Sequence, residues 1–286
     1  SGAPRYLHSF PTRRSSDLLG LAWRSAVAAA ALVFALQTSA QQLSREQQEE
    51  FLRTAKIVRT SSTPKGITGV VRATMTSADG LVTHDAGIQR IDEKKGEFRG
   101  DRGIEINFRD TYKFNIAAYR LSLLLGLGMV PPTVERTYAG SRASFCWWVE
   151  DVMMDEGDRL KKKIKPPDQN DFNAQYSIVQ VFDQLIYNVD RNQGNLLITK
   201  NWKLWMIDHG RAFRLHDTLQ DAKVLRMCER GLLQKLKALD EPTLKREIGE
   251  YVTGNEIEAL LKRRDKIVAF FDKAGPKALY TYNTNN

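Results

Sequence analysis

The chain is poor in cysteine: it has two in 286 residues, Cys146 and Cys228. That excludes a disulfide scaffold and a Cys-based structural zinc site. Proline (9) and glycine (19) are sparse, which excludes a collagen-like or low-complexity chain. Long hydrophobic runs are also missing. A helix needs ~20 apolar residues to cross a bilayer, and only Ser25 to Ala40, 16 residues, comes near that. A polytopic membrane protein is therefore excluded. No arm concentrates charge of one sign. The net charge of +9 favours anionic ligands in general but is too mild to argue for a nucleic-acid partner, and none is expected. What is present, 42% hydrophobic and 27% charged residues, suits one globular domain with two lobes and a sizeable core.

The first forty residues stand apart from the fold. His8 to Leu18 reads HSFPTRRSSDL, which resembles the translation of a common sequencing adapter. Residues 1–18 are accordingly set aside. Leu19 to Arg24 then forms a basic flank, Ser25 to Leu36 an apolar run, and Thr38 and Ala40 place small residues before Gln41. This is the pattern of a secretory signal peptide over 19–40. A membrane anchor is the competing reading, and the run is short for it. The expectation is an exported protein, periplasmic or secreted, with no stable membrane span after cleavage. Export permits a Cys146–Cys228 disulfide. Two buried thiols fit equally well, because sequence gives no distance.

Ser44 and Gln47 form a capping box, predicting a helix from there to about Arg59 within an N-terminal segment 41–59. A β-rich lobe is expected over 60–154. It holds strands near 67–76 and 81–91 around the Ser77–Gly80 turn, then a charged loop over Glu93 to Asp110. Thr111 to Leu127 repeats apolar residues at helical spacing, and strands at 133–138 and 143–153 follow. A helical lobe is expected over 155–274, opening on a basic connector from Arg159 to Asp168. It has a long helix from Asp171 to Val189 and short strands at 195–199 and 203–207. Residues 275–286 read as a frayed tail. Strands early and helices late predict an α+β fold with a ligand cleft between the lobes.

The chemistry is concentrated where the long helix ends. Asn188-Val-Asp190-Arg-Asn-Gln-Gly-Asn195 closes it, and Asp208-His-Gly210 follows an apolar strand. Phosphoryl transfer needs a carboxylate to orient the acceptor hydroxyl and oxygen ligands to hold divalent metal on the phosphates. Kinase catalytic loops space those Asp and Asn five residues apart, with a metal-binding Asp before a later Gly. Asp190 and Asn195 have that spacing, and Asp208 ends a strand with Gly210 two residues on. The hairpin between them brings both sets of oxygens to one end. Mg²⁺ or Mn²⁺ suits such hard ligands. Each piece alone is an ordinary polar loop or turn; together they are far more specific.

This arrangement resembles the atypical kinase-like superfamily: secretory-pathway kinases of the Golgi casein kinase type, HipA-type kinases and type II phosphatidylinositol 4-kinases. Asn115 to Thr133, ending Met-Val-Pro-Pro-Thr, looks like that group's helix and following strand. The resemblance spans about Gly66 to Phe213. It implies a two-lobed kinase-like fold, with Asp190 as catalytic base and Asn195 and Asp208 as metal ligands. It also implies ATP or another nucleoside triphosphate as cofactor, and a protein, lipid or small-molecule hydroxyl acceptor. Gly66 and Gly69 fall where a phosphate-covering loop is expected, with ordinary turn glycines as the blander reading. Glu150 and Met153 lie in the connector expected to read the base. Two positions depart from the family. Gln89 stands where the phosphate-neutralising Lys is expected, and Asn115 where its Glu partner is expected. Arg90, Lys113, Lys65 or metal alone would then meet the phosphate charge. His209 is expected to make a local hydrogen bond. Of Trp147 and Trp148, on opposite strand faces, one is expected in the core. The leading reading is an exported phosphotransferase; the competing one is a pseudokinase that binds nucleotide without turnover.

Overall fold

The computed structural model describes residues 43–62, 69–100 and 103–282. The adapter-like segment, the signal peptide, Lys65 and Gly66 lie outside the described residues.

Helix α1 (Arg45–Thr54) starts just after Ser44 and buries Phe51 and Leu52. It stops short of the expected Arg59. The reason is local: Ile57, Val58 and Thr60 are β-branched and favour extended chain. They lie in β1 (Lys56–Ser62), which pairs antiparallel with β2 (Val71–Thr76) through a bulge between Ile57 and Arg59. The Ser77–Gly80 turn, with Gly80 at φ 74°, joins β2 to β3 (Thr83–Gln89).

The second departure is larger. Residues 93–110, expected as a loop, belong to a long antiparallel hairpin of β4 (Asp92–Gly100) and β5 (Gly103–Thr111). Ile104, Ile106 and Phe108 alternate along β5. Phe98 and Phe108 stack at 4.3 Å, and the Lys95 ammonium caps both rings. Next come α2 (Tyr112–Leu124), β6 (Thr133–Tyr138) and β7 (Ser141–Trp147). The main sheet is ordered β1-β2-β3-β7-β6. One face, with Ala73, Met75, Ile88 and Phe145, closes over Phe51 and Leu52 of α1. Because side chains alternate along a strand, Gln89, Ser144 and Cys146 lie on the other face, where α2 packs. Trp147 and Trp148 obey the same rule. Trp147, half-buried, meets Phe51 edge-on at 5.6 Å at the margin of the core. Trp148 sits beside Gly87, under the Arg72 guanidinium at 4.5 Å.

The second half holds β8 (Val152–Asp155), α3 (Glu156–Lys161), α4 (Gln169–Ile186), β9 (Leu196–Thr199) and β10 (Leu204–Met206). It ends with β11 (Cys228–Glu229), α5 (Arg230–Ala238), α6 (Glu241–Ile248), α7 (Gly254–Ala274) and β12 (Leu279–Tyr280). Strands β8, β9 and β10 form a small sheet ordered β10-β9-β8. Helix α4 begins at its N-cap Asp168 and buries Ile178, Val179, Val181, Phe182, Leu185 and Ile186. Each such side chain contributes about 1.5–3 kcal/mol relative to exposure. Arg263 of α7 is wholly buried and donates to the carbonyls of Leu185 (2.7 Å), Arg214 (2.9 Å) and His216. It thereby ties α7 to the end of α4 and to the segment after Gly210. The tail is not frayed as far as Tyr282. β12 pairs in parallel with β11, and the Tyr280 hydroxyl donates to the Ala174 carbonyl. Cys146 and Cys228 are free thiols. The fold is α+β, with a β-rich N-terminal part and a helical C-terminal part. Among the described residues, no helix is long and apolar enough to cross a membrane.

Candidate active site

The catalytic-loop candidate begins where α4 ends. Tyr187, at φ 49°, caps the helix in the left-handed conformation and turns the chain away. Asn188 then bridges: its Nδ2 donates to Asp183 (3.2 Å), and its Oδ1 accepts from the Asp190 N–H (3.0 Å). Asn195 Nδ2 donates to the Asp190 carbonyl at 3.1 Å, which leaves the amide oxygen as the end available to a cation. The Ile207 N–H donates to the Asn195 carbonyl at 3.1 Å. The strand end that carries Asp208 is thus bonded to the loop that carries Asp190 and Asn195.

Arg191 clamps the arrangement. It pairs with Asp183 at 2.9 and 3.1 Å. It also donates to the carbonyls of Asn195 (2.7 Å) and Ile207 (2.8 Å), and to His209 Nε2 at 2.9 Å. All five of its N–H groups are engaged. His209 is buried, and desolvation, then the Arg191 charge, hold its pKa well below the usual value. A neutral ring accepting from Arg191 follows, which is the expected local hydrogen bond. Sequence reasoning named neither Arg191 nor Asp183 as site residues. The signal available was Arg191's place inside the Asp190–Asn195 run.

Asp208 adopts φ 55°, a left-handed conformation that Asp tolerates better than most residues. Burial, then the neighbouring Asp190 carboxylate, raise its pKa. A third carboxylate that the sequence reading missed joins them. Asp110, at the end of β5, is only 8% exposed, and burial, then Asp208, push it up to about 6. Its position is fixed on both sides: the Thr111 N–H donates to the Gly210 carbonyl at 3.0 Å, and Arg214 donates to the Arg109 carbonyl at 2.8 Å. Asp110 escaped notice because it lies in the stretch expected to be loop.

The two departures from the family meet in space. Asn115 Nδ2 donates to Gln89 Oε1, so the pair stands as neutral amides where an ion pair was expected. Its polarity is fixed by the backbone. The His209 N–H donates to Asn115 Oδ1 at 2.7 Å, so the Asn115 nitrogen must face Gln89, and Gln89 must turn its own nitrogen away. Gln89 Nε2 faces the Asp208 carboxylate and favours its charged form, but no hydrogen bond of good geometry joins this buried atom to a neighbour. Gly210 makes the room: a Cβ there would lie 2.6 Å from Asp110 Oδ1 and 3.6 Å from both Asp208 Oδ1 and Gln89 Nε2.

The other expected residues fall elsewhere. Gly69 is at φ 61° with open space around it. Glu150 is exposed and faces His84 at 3.2 Å, and Met153 is 41% exposed on β8. Neither has a hydrogen bond or ion pair to the carboxylate group. The cations offered for phosphate are engaged: Lys113 pairs with Asp92 at 2.8 Å, and Arg90 lies over the Tyr138 ring at 5.5 Å. Arg159 of the basic connector pairs with Glu156 at 2.6 Å. A cavity of about 470 Å³ behind α2, lined by Glu49, Tyr119, Glu135 and Tyr251 among others, contains none of the expected site residues.

The donor set fits a divalent metal. Asn195 and Asp208 supply hard oxygens, with the Asp190 carboxylate near Asp208. Among the described residues, no three of His, Cys, Asp and Glu converge closely enough to enclose an ion alone. Magnesium is ordinarily bound by one or two carboxylates, with phosphate and water completing its shell.

The fold is similar to that of solved kinase structures. A hydra Fam20 structure with sugar bound matches at TM-score 0.60 and 15% identity, over 85% of this chain and 94% of that one. The Golgi casein kinase with Mn/ADP bound matches at TM-score 0.55 and 14% identity, over 83% and 78%. The Helicobacter pylori proinflammatory kinase CtkA matches at 0.50 and 12%, over 79% and 97%. No family model and no curated protein matches the chain in sequence.

Proposed function

We propose that the chain binds a metal–nucleoside triphosphate complex and transfers phosphate to a hydroxyl acceptor. The observation that carries this reading is the joining of Asp190, Asn195 and Asp208 into one hydrogen-bonded unit around Arg191. Asn195 and Asp208 would hold Mg²⁺ or Mn²⁺, which supplies charge neutralisation on the phosphates. Asp190, half-buried at the loop, orients the acceptor hydroxyl and takes its proton. The acceptor oxygen bonds to the γ-phosphorus, the bond to the bridging oxygen breaks, and the nucleoside diphosphate leaves. The Golgi casein kinase with Mn/ADP bound supports the choice of ligands.

Asp208→Asn is expected to weaken Mg²⁺- or Mn²⁺-dependent ATP binding strongly, because it removes a charged metal oxygen. Asn195→Ala removes a neutral one and should weaken binding less. Calorimetric titration with and without metal checks this; parent-like affinity in both variants removes the site. One observation favours a second reading, a nucleotide-binding module without turnover: the Gln89–Asn115 amide pair brings no positive charge to the phosphates. A binding module would keep the metal dependence and transfer nothing to any acceptor.

We also place the protein among exported chains, on the Ser25 to Ala40 pattern and the Golgi origin of one structural neighbour. Mass spectrometry of the exported protein is expected to find Gln41 at the N-terminus. Recovery of residues 19–40 on it would remove this placement.

A further inference from the structure

Three groups converge on the space that Gly210 leaves open: the carboxylates of Asp110 and Asp208, and the Nε2 amide of Gln89. Two carboxylates brought together in a buried place favour added positive charge, beyond the Arg211 and Arg214 charges that already act on Asp110. A buried N–H donor without a well-formed hydrogen bond requires an acceptor oxygen. Gln89 is 5% exposed, and its orientation is dictated by the His209 N–H through Asn115, so it cannot turn its oxygen to the carboxylates. A cation that carries phosphate oxygens satisfies all three groups.

We propose that Asp110 is a metal-binding residue: with Asp208 it holds a second divalent cation on the nucleotide's phosphates, while Gln89 Nε2 donates to a phosphate oxygen. This rests on the metal–nucleotide reading above and adds to it a ligand from the β4–β5 hairpin. The second cation then does the neutralising that a lysine at position 89 would have done, which accounts for a site with three carboxylates and no lysine among them. The geometry is prepared on both sides of Asp110. Thr111 is bonded to Gly210, and Arg109 is bonded to Arg214, so the residue's backbone is tied to the segment that carries Asp208.

The test counts Mn²⁺ by electron paramagnetic resonance on the full chain, alone and with a non-hydrolysable ATP analogue. The parent is expected to hold two Mn²⁺ per bound analogue, and Asp110→Asn one. The affinity for the lost ion should fall at least about tenfold, a loss seen even when outer-shell partners of a metal are removed. Thermal melting supplies a readout independent of counting. In EDTA, Asp110→Asn should melt no lower than the parent, because a like-charge contact with Asp208 is gone. With Mn²⁺ and the analogue, the parent should melt higher. Equal Mn²⁺ counts in parent and variant, or a variant that melts lower in EDTA as well, overturn the role of Asp110 and leave the proposed function standing. A parent that binds the analogue with no Mn²⁺ at all overturns both.

Discussion

Asp190→Ala is expected to abolish phosphate transfer while nucleotide affinity changes by less than about twofold. General-base assistance is worth about 10²–10⁴ in rate, and a group that acts on the acceptor in the transition state lowers turnover without weakening ground-state binding. The fold should survive. Asp190 is only half-buried, and its main-chain groups, rather than its carboxylate, bond to Asn188 and Asn195. Single-turnover transfer and equilibrium binding, measured with the same nucleotide, separate the two quantities. A variant that retains transfer removes Asp190 as base. A parent that binds nucleotide and never transfers supports the binding-module reading instead.

Arg191→Ala should be the most damaging single change to stability near the site, by about 3–5 kcal/mol, because it leaves a buried carboxylate without its partner. Asp183 is 7% exposed, and Arg191 supplies both of the ionic contacts to it. The carbonyls of Asn195 and Ile207 lose their donor in the same step. Arg191→Lys should recover only part of the loss, since an ammonium cannot reproduce the five-donor fork. Removing both charges, with Asp183→Leu and Arg191→Met, should cost less than Arg191→Ala alone. Urea unfolding of the three variants and the parent checks the order. If Arg191→Ala unfolds like the parent, the clamp contributes nothing to stability.

Much of this was readable from the chain because the signals were local. The Ser77–Gly80 turn, the helix expected from Thr111, the long helix expected from Asp171 and the hairpin between Asn195 and Asp208 all rest on turn chemistry and periodicity. What was not readable depended on partners distant in sequence. Helix α1 was read too long because the pairing of Lys56–Ser62 with β2 is a tertiary event, although the β-branched Ile57 and Val58 were a hint. The β4–β5 hairpin was read as loop because its charge and glycines outweighed the alternation of Ile104, Ile106 and Phe108. That error concealed Asp110, which becomes a site residue only when β5 runs beside Gly210. The clamp by Arg191 joins a helix, a loop and a strand end, and no spacing rule expresses it.

The amide pair Gln89–Asn115 carries a consequence for how this site can change over generations. A lysine alone at position 89 would reach the Asp208 carboxylate but leave the Asn115 nitrogen without its acceptor, and a glutamate alone at position 115 would face an amide with no positive charge. Each intermediate places a mismatched group in a region where the present residues are 5% and 8% exposed. The two positions are therefore coupled: a change at either alters the partner that the other requires, because the His209 N–H fixes which end of Asn115 faces position 89.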